Sequence, residues 1–149
     1  MPRVPDILVT SADDQPTLAV EVKNKAEATA QWAAELRRNL AVHAALPPTP
    51  FFMVAALDRF FLWRAKPNEF DAPPNYVVDA LEILRPYSHV GAGAGHITSS
   101  YALELMVAAW LKEIIRSNPP RDDKTLSWLY ESGLHDAIRQ GDVRTQAPV

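Results

Sequence analysis

The chain has 149 residues, of which 48% are hydrophobic and 22% charged, with a net charge of −3 and no cysteine. That length suffices for one domain with a real core, and the absence of cysteine excludes disulfides and thiolate metal sites. No apolar run approaches the roughly 20 residues that span a bilayer, and the first residues lack the basic start and apolar centre of a signal peptide, so a cytoplasmic protein without membrane contact is expected. Residues 1–64 carry seven Lys/Arg and seven Asp/Glu, and residues 65–149 carry eight and eleven. Neither half is a basic stripe. Tight non-specific DNA binding, which rests on phosphate neutralisation, is not expected of this chain alone.

Ile7 to Thr10 reads as a short strand, and Ser-Ala-Asp-Asp-Gln-Pro over residues 11–16 as a turn. Thr17 to Lys23 alternates, with Leu18, Val20 and Val22 on one face of a second strand and Ala19, Glu21 and Lys23 on the other. Ala26 to Leu46 has no Gly or Pro and is rich in helix formers; Trp32, Leu36 and Leu40 give it one apolar face, and Pro47-Pro48 ends it. Phe51 to Leu57 suits a buried strand, Asp58-Arg59 a tight turn, and Phe60 to Arg64 a further antiparallel strand. Strand, helix and strand across residues 17–57 form a crossover unit, which implies some parallel pairing.

Residues 65–75 carry Pro67, Pro73 and Pro74 and read as a loop, followed by a short helix from Asp79 to Tyr87. Gly91 to Gly95 reads as a flexible linker, since no Lys-Ser/Thr follows it to make a phosphate cradle. Ser99 or Ser100 can cap a long helix through Arg116, with Leu103, Val107, Trp110 and Ile114 as its buried stripe. Asp122 or Asp123 can cap a last helix closed by Gly141, with a frayed tail beyond. Trp32, Trp110 and Trp128 read as core residues. His43, His89, His96 and His135 are too widely spaced for a ligand set and read as surface or loop residues.

The chemistry concentrates in the first hairpin. If its strands pair about the centre of the 11–16 turn, partner positions sum to about 27, and Asp6 stands opposite Glu21 with Cβ atoms roughly 4.5–5.5 Å apart. Two carboxylates that close repel unless a cation lies between them, and an oxygen-only ligand set suits Mg²⁺ or Mn²⁺. Lys23 shares the strand face of Glu21, and the Val22 carbonyl could be a further ligand. The competing reading is a solvated strand face with a cross-strand ion pair.

Pro5-Asp6, then Glu21-Val22-Lys23, then a helix and a strand, resembles the PD-(D/E)xK nuclease superfamily, whose members cleave DNA with Mg²⁺. The resemblance implies that Asp6 and Glu21 bind the metal, with Val22 beside them, and that Lys23 is catalytic. Gln31, counted with Asp6, Glu21 and Lys23 as a catalytic residue, occupies a place where many members carry a polar helix residue, with Glu35 and Arg38 on the same helical face. The segment ending in Phe-Leu-Trp-Arg is similar to the end of the core in relatives of type I restriction-subunit N-terminal regions. The resemblance covers roughly residues 3–64.

The expected fold is thus α/β: a restriction-endonuclease-like mixed sheet with flanking helices, N-terminally abbreviated, with a helical C-terminal half. Residues 1–64 would form the β-β-α-β-β core and residues 65–149 a loop and helical extension packed on the same domain. Family cores place a helix and a strand before the Asp strand, and only Met1 to Val4 precede Pro5 here. The first strand would then be an open pairing edge, which points to a homodimer. The expected function is a metal-dependent DNA endonuclease or exonuclease. The alternatives are a nuclease-like domain that binds or assembles without cutting, and an unrelated small α/β module.

Overall fold

Ser11 to Gln15 close the first turn, with the Ser11 and Asp14 amides donating to the Gln15 and Ser11 carbonyls at 2.9 Å each and Asp14 in the left-handed region at φ 61°. The turn joins β1 (Ile7–Thr10) to β2 (Pro16–Val22). The computed structural model describes residues 4–66, 69–88 and 100–145. Ile7 pairs with Val20, Leu8 with Ala19 and Val9 with Leu18, so the register is the one the turn implies, and an irregularity at Thr10 absorbs one residue. From β2 the chain crosses through α1 (Ala30–Val42) to β3 (Phe51–Ala55), which runs parallel to β2. β4 (Arg59–Arg64) and then β5 (Tyr76–Asp79) add antiparallel.

The second half contains α2 (Leu81–Leu84), a 3₁₀ turn over Arg85–Tyr87, α3 (Ser100–Arg116), α4 (Ser127–Glu131) and α5 (Leu134–Ile138), and it ends in β6 (Asp142–Thr145). Among the described residues the strands form one six-stranded mixed sheet in the order β5-β4-β3-β2-β1-β6. No helix among them is long and apolar enough to cross a membrane.

Helices cover both sides of this sheet. Ala19, Phe52, Val54, Phe61 and Trp63 face α1, while Ile7, Val9, Leu18, Val20, Val22, Met53 and Leu62 face α3 to α5. Every residue of β2 after Pro16 is buried. The alternation that suggested a half-wet strand instead divides β2 between two cores, as befits a central strand with a parallel neighbour. In α3, Leu103, Val107, Trp110 and Ile114 are all buried, as their spacing predicts, and the Trp110 ring lies 5.3 Å from Phe60 and 6.0 Å from Trp128.

Several expectations change. α1 is shorter than Ala26 to Leu46. Thr29 caps its start by accepting from the Trp32 amide, and it ends before the prolines because Ala44 turns left-handed at φ 54° while the Ala45 amide returns to the Leu40 carbonyl at 2.7 Å. Its buried residues are Ala33, Arg37 and Leu40, with Trp32 and Leu36 half-buried beside them. Asp79 ends a strand rather than opening a helix: the Val77 and Val78 positions pair with Phe61 and Phe60. The last helix is two short ones, divided at Gly133 where φ reaches 84°. His135 is not a surface residue: it is 1% exposed, and its Nε2 lies 2.9 Å from the Ser117 carbonyl oxygen.

The frayed tail is also corrected. Residues 142–145 form β6 and pair with β1, Val143 opposite Val9. β1 is therefore not an open edge, and the argument for a homodimer through it falls. The Gly91–Gly95 linker, His89, His96 and Ser99 lie outside the described residues.

Gly141 is where α5 hands over to β6. A Cβ there would lie 1.8 Å from the Thr10 carbonyl oxygen and 2.9 Å from that of Ile138. Both obstacles are backbone, so Gly141→Ala is expected to lower stability by about 3 kcal/mol, read from urea unfolding. An unchanged midpoint would contradict this close junction.

Candidate metal and phosphate site

The open end of the β1–β2 hairpin owes its shape to Pro5. Continuing the register by one residue sets Asp6 across from Glu21, and by two sets Pro5 across from Val22. Proline has no N–H to donate, so one of the two backbone bonds of that pair cannot form. The other donor, the Val22 amide, goes to the Asp6 side chain, whose Oδ2 accepts it at 2.8 Å. This holds Asp6, half-buried, against the last residues of β2 and leaves Oδ1 outside that bond.

Glu21 lies on the α1 side of the sheet by alternation with Ala19, paired to Val54 of β3, and is 0% exposed. Lys23 follows on the same face and is half-buried. Its amide donates to the Ala55 carbonyl at 2.9 Å, which carries the parallel ladder one residue past β2. The carboxyl ends of two parallel strands therefore meet here, a usual place for ligands in α/β sheets, and the N-terminus of α1 lies at the same end, contributing a positive field.

The loop from Lys23 to Thr29 is tied to the β3–β4 turn. The Leu57 amide donates to the Lys25 carbonyl at 3.2 Å, the Glu27 amide to Asp58 Oδ2 at 3.1 Å, and Arg59 Nη1 to the Ala28 carbonyl at 3.1 Å. Lys25 stands over the Trp32 ring, its nitrogen 5.4 Å from the centroid. Asp58 and Arg59 are supports that the sequence reading passed over as a turn; nothing in their local pattern signals that they brace the loop carrying Lys23.

Asp6, Glu21 and the Val22 carbonyl are hard oxygen donors. Among the described residues no three His, Asp or Glu side chains come together. A divalent ion at this end would therefore take two carboxylates, a carbonyl and water, a set that fits Mg²⁺, which keeps several waters.

The chain matches no family model, no curated protein and no solved structure.

The other residues singled out from sequence divide. Gln31 is in the first turn of α1, at the right end of the sheet but exposed, and among the described residues no hydrogen bond ties it to Asp6, Glu21 or Lys23. Glu35 and Arg38 are exposed further along the helix, and Arg38 Nε pairs with Asp71 at 3.2 Å. Arg37, between them on the same helix, is buried despite its charge.

The Asp6 bond predicts a local stability effect in metal-free buffer. Asp6→Ala should remove about 2 kcal/mol of protection from the Val22 amide, measured by hydrogen exchange. Asp6→Asn, which keeps an acceptor oxygen, should lose less. Equal Val22 exchange in Asp6→Ala and the parent would contradict the bond.

Proposed function

We propose that the hairpin end is a metal-dependent phosphodiesterase site of PD-(D/E)xK type that cleaves DNA. The observation that carries this reading is the meeting of Asp6, Glu21 and Lys23 at the carboxyl end of β2, with Asp6 fastened to Val22. The order of β1, β2, α1 and β3 supports it. So does the position of β6 beside β1, with α3 packed against β2 and β6: a strand and a helix flank the Asp strand, as in that superfamily, but arrive from later in the chain.

Asp6, Glu21 and the Val22 carbonyl would hold Mg²⁺ or Mn²⁺. When bound, such an ion lowers the pKa of a water and neutralises phosphoryl charge. Lys23, one alternation beyond Glu21, orients the attacking water and offsets the negative charge that grows on the phosphoryl oxygens. Gln31, at the start of α1, is positioned to contact the nucleic-acid backbone rather than the reacting atoms.

A second reading, a nuclease-like domain that binds or assembles without cutting, is favoured by one observation: Glu21 is wholly buried, whereas a ligand to a substrate-bridging ion must reach the surface.

Incubation of supercoiled plasmid with the purified protein and Mg²⁺ or Mn²⁺ tests the proposal. Nicking or linearisation is expected, lost on chelation and reduced at least about a hundredfold in Lys23→Ala, with the circular dichroism spectrum unchanged. Equal cleavage by Lys23→Ala would overturn the mechanism. Folded protein that binds neither Mg²⁺ nor Mn²⁺ and cleaves no DNA form would establish the second reading.

A further inference from the structure

At the opposite end of the sheet the C-terminal half of α1, the Pro47–Pro50 segment and the residues after β4 line an open cavity of about 670 Å³. Its wall is mostly hydrocarbon, from Ala41, Leu46, Pro48 and Phe70, with Arg37 and Lys66 as its cations. Thr49 also lines it, but the Thr49 hydroxyl is already spent on the Phe51 carbonyl at 2.7 Å. The volume is that of a small-molecule site.

Arg37 is the unusual member. It is 2% exposed, with its guanidinium stacked 5.4 Å from the centre of the Trp63 ring and Nη1 donating to the Glu69 backbone carbonyl at 2.8 Å. Its Nε is buried with no hydrogen-bond partner. Burial lowers its pKa from the usual arginine value, opposed by the Glu69 carboxylate acting through space. Among the described residues no carboxylate makes an ion pair with it, and Asp71 is engaged by Arg38. A buried cation normally has an anionic partner, because an unpaired donor and an unpaired charge are each costly inside a protein. Here the protein supplies a ring face and one carbonyl, and leaves the remaining donors beside an apolar cavity.

We propose that this cavity binds a small organic carboxylate with a hydrocarbon body, the carboxylate on Arg37 and the chain or ring against Leu46, Pro48 and Phe70. The head group follows from the guanidinium fork, which matches a carboxylate and forms short, charge-assisted bonds with it. The body follows from the walls, which offer a highly charged ligand such as free phosphate no further polar partners beyond the exposed Lys66. This site lies away from Asp6, Glu21 and Lys23 and does not depend on their function.

Sodium octanoate is the probe, titrated into ¹⁵N-labelled full-length protein. The expected result is saturable shifts of the Arg37 Nε–H resonance and of the Ala41 and Ala65 amides. Arg37→Met, which keeps an unbranched apolar stem against Trp63, should weaken binding at least about tenfold. Ala41→Phe, which fills the cavity without touching the charge, should weaken it as well, and it carries the test if Arg37→Met does not fold. 1-Octanol should leave Arg37 Nε–H unmoved. The proposal is overturned by absence of saturable shifts, by equal effects of octanol or of inorganic phosphate, or by unaltered octanoate affinity in the variant that folds.

Discussion

The bond from the Val22 amide to the Asp6 carboxylate, 2.8 Å long, is the constraint on which the candidate site depends. It gives the Val22 amide a side-chain acceptor where the backbone ladder lapses at Pro5, and so closes the hairpin at a defined register. A slip of β2 by one residue against β1 would send Glu21 and Lys23 to the α3 side of the sheet, away from Asp6, and the apolar set of β2 to the α1 side. Because β2 is buried on both faces, such a slip would mismatch two cores at once. The placement of the charged residues is therefore held by the packing of Leu18, Val20 and Val22 as much as by the charges themselves.

Stability and chemistry pull in opposite directions at Glu21. Removing a carboxylate from water costs several kcal/mol after relaxation, while each large apolar side chain buried contributes only about 1.5–3 kcal/mol. A glutamate buried at the end of β2 must recover that cost from its surroundings, which Leu or Val there would not have to do. Arg37 is buried at the other end of α1, where a ring face and one carbonyl stand in for an anion. Both positions are places where local sequence preference and burial disagree, and such disagreements mark candidate sites in an otherwise self-consistent fold.

The hairpin was legible in the sequence because its signals agree: a polar turn over residues 11–16 between two short apolar runs leaves one sensible register, which β1 and β2 adopt. The crossover through α1 and the stripe of α3 were legible for the same reason. β6 was not, because Asp-Val-Arg-Thr has one buried residue in four and its partner is β1, at the other end of the chain. β5 is an edge strand with only Val78 buried, too short a pattern to separate from the helix that follows. His135 was misplaced, and the burial of Arg37 was not foreseen, because periodicity assigns polar residues to the wet face. Their burial depends on non-local partners, Trp63 and the Glu69 carbonyl for one and the Ser117 carbonyl for the other.

The central claim is that Asp6 and Glu21 form one oxygen site for a divalent ion at the end of β2. Paramagnetic broadening by substoichiometric Mn²⁺ tests it most directly, because the effect falls steeply with distance and reads out every backbone amide together. The account predicts that the Asp6, Val22 and Lys23 amides broaden first and that excess Mg²⁺ restores them. Broadening confined to acidic pairs elsewhere, such as Asp13-Asp14 or Asp122-Asp123, with the Val22 amide untouched, would contradict it.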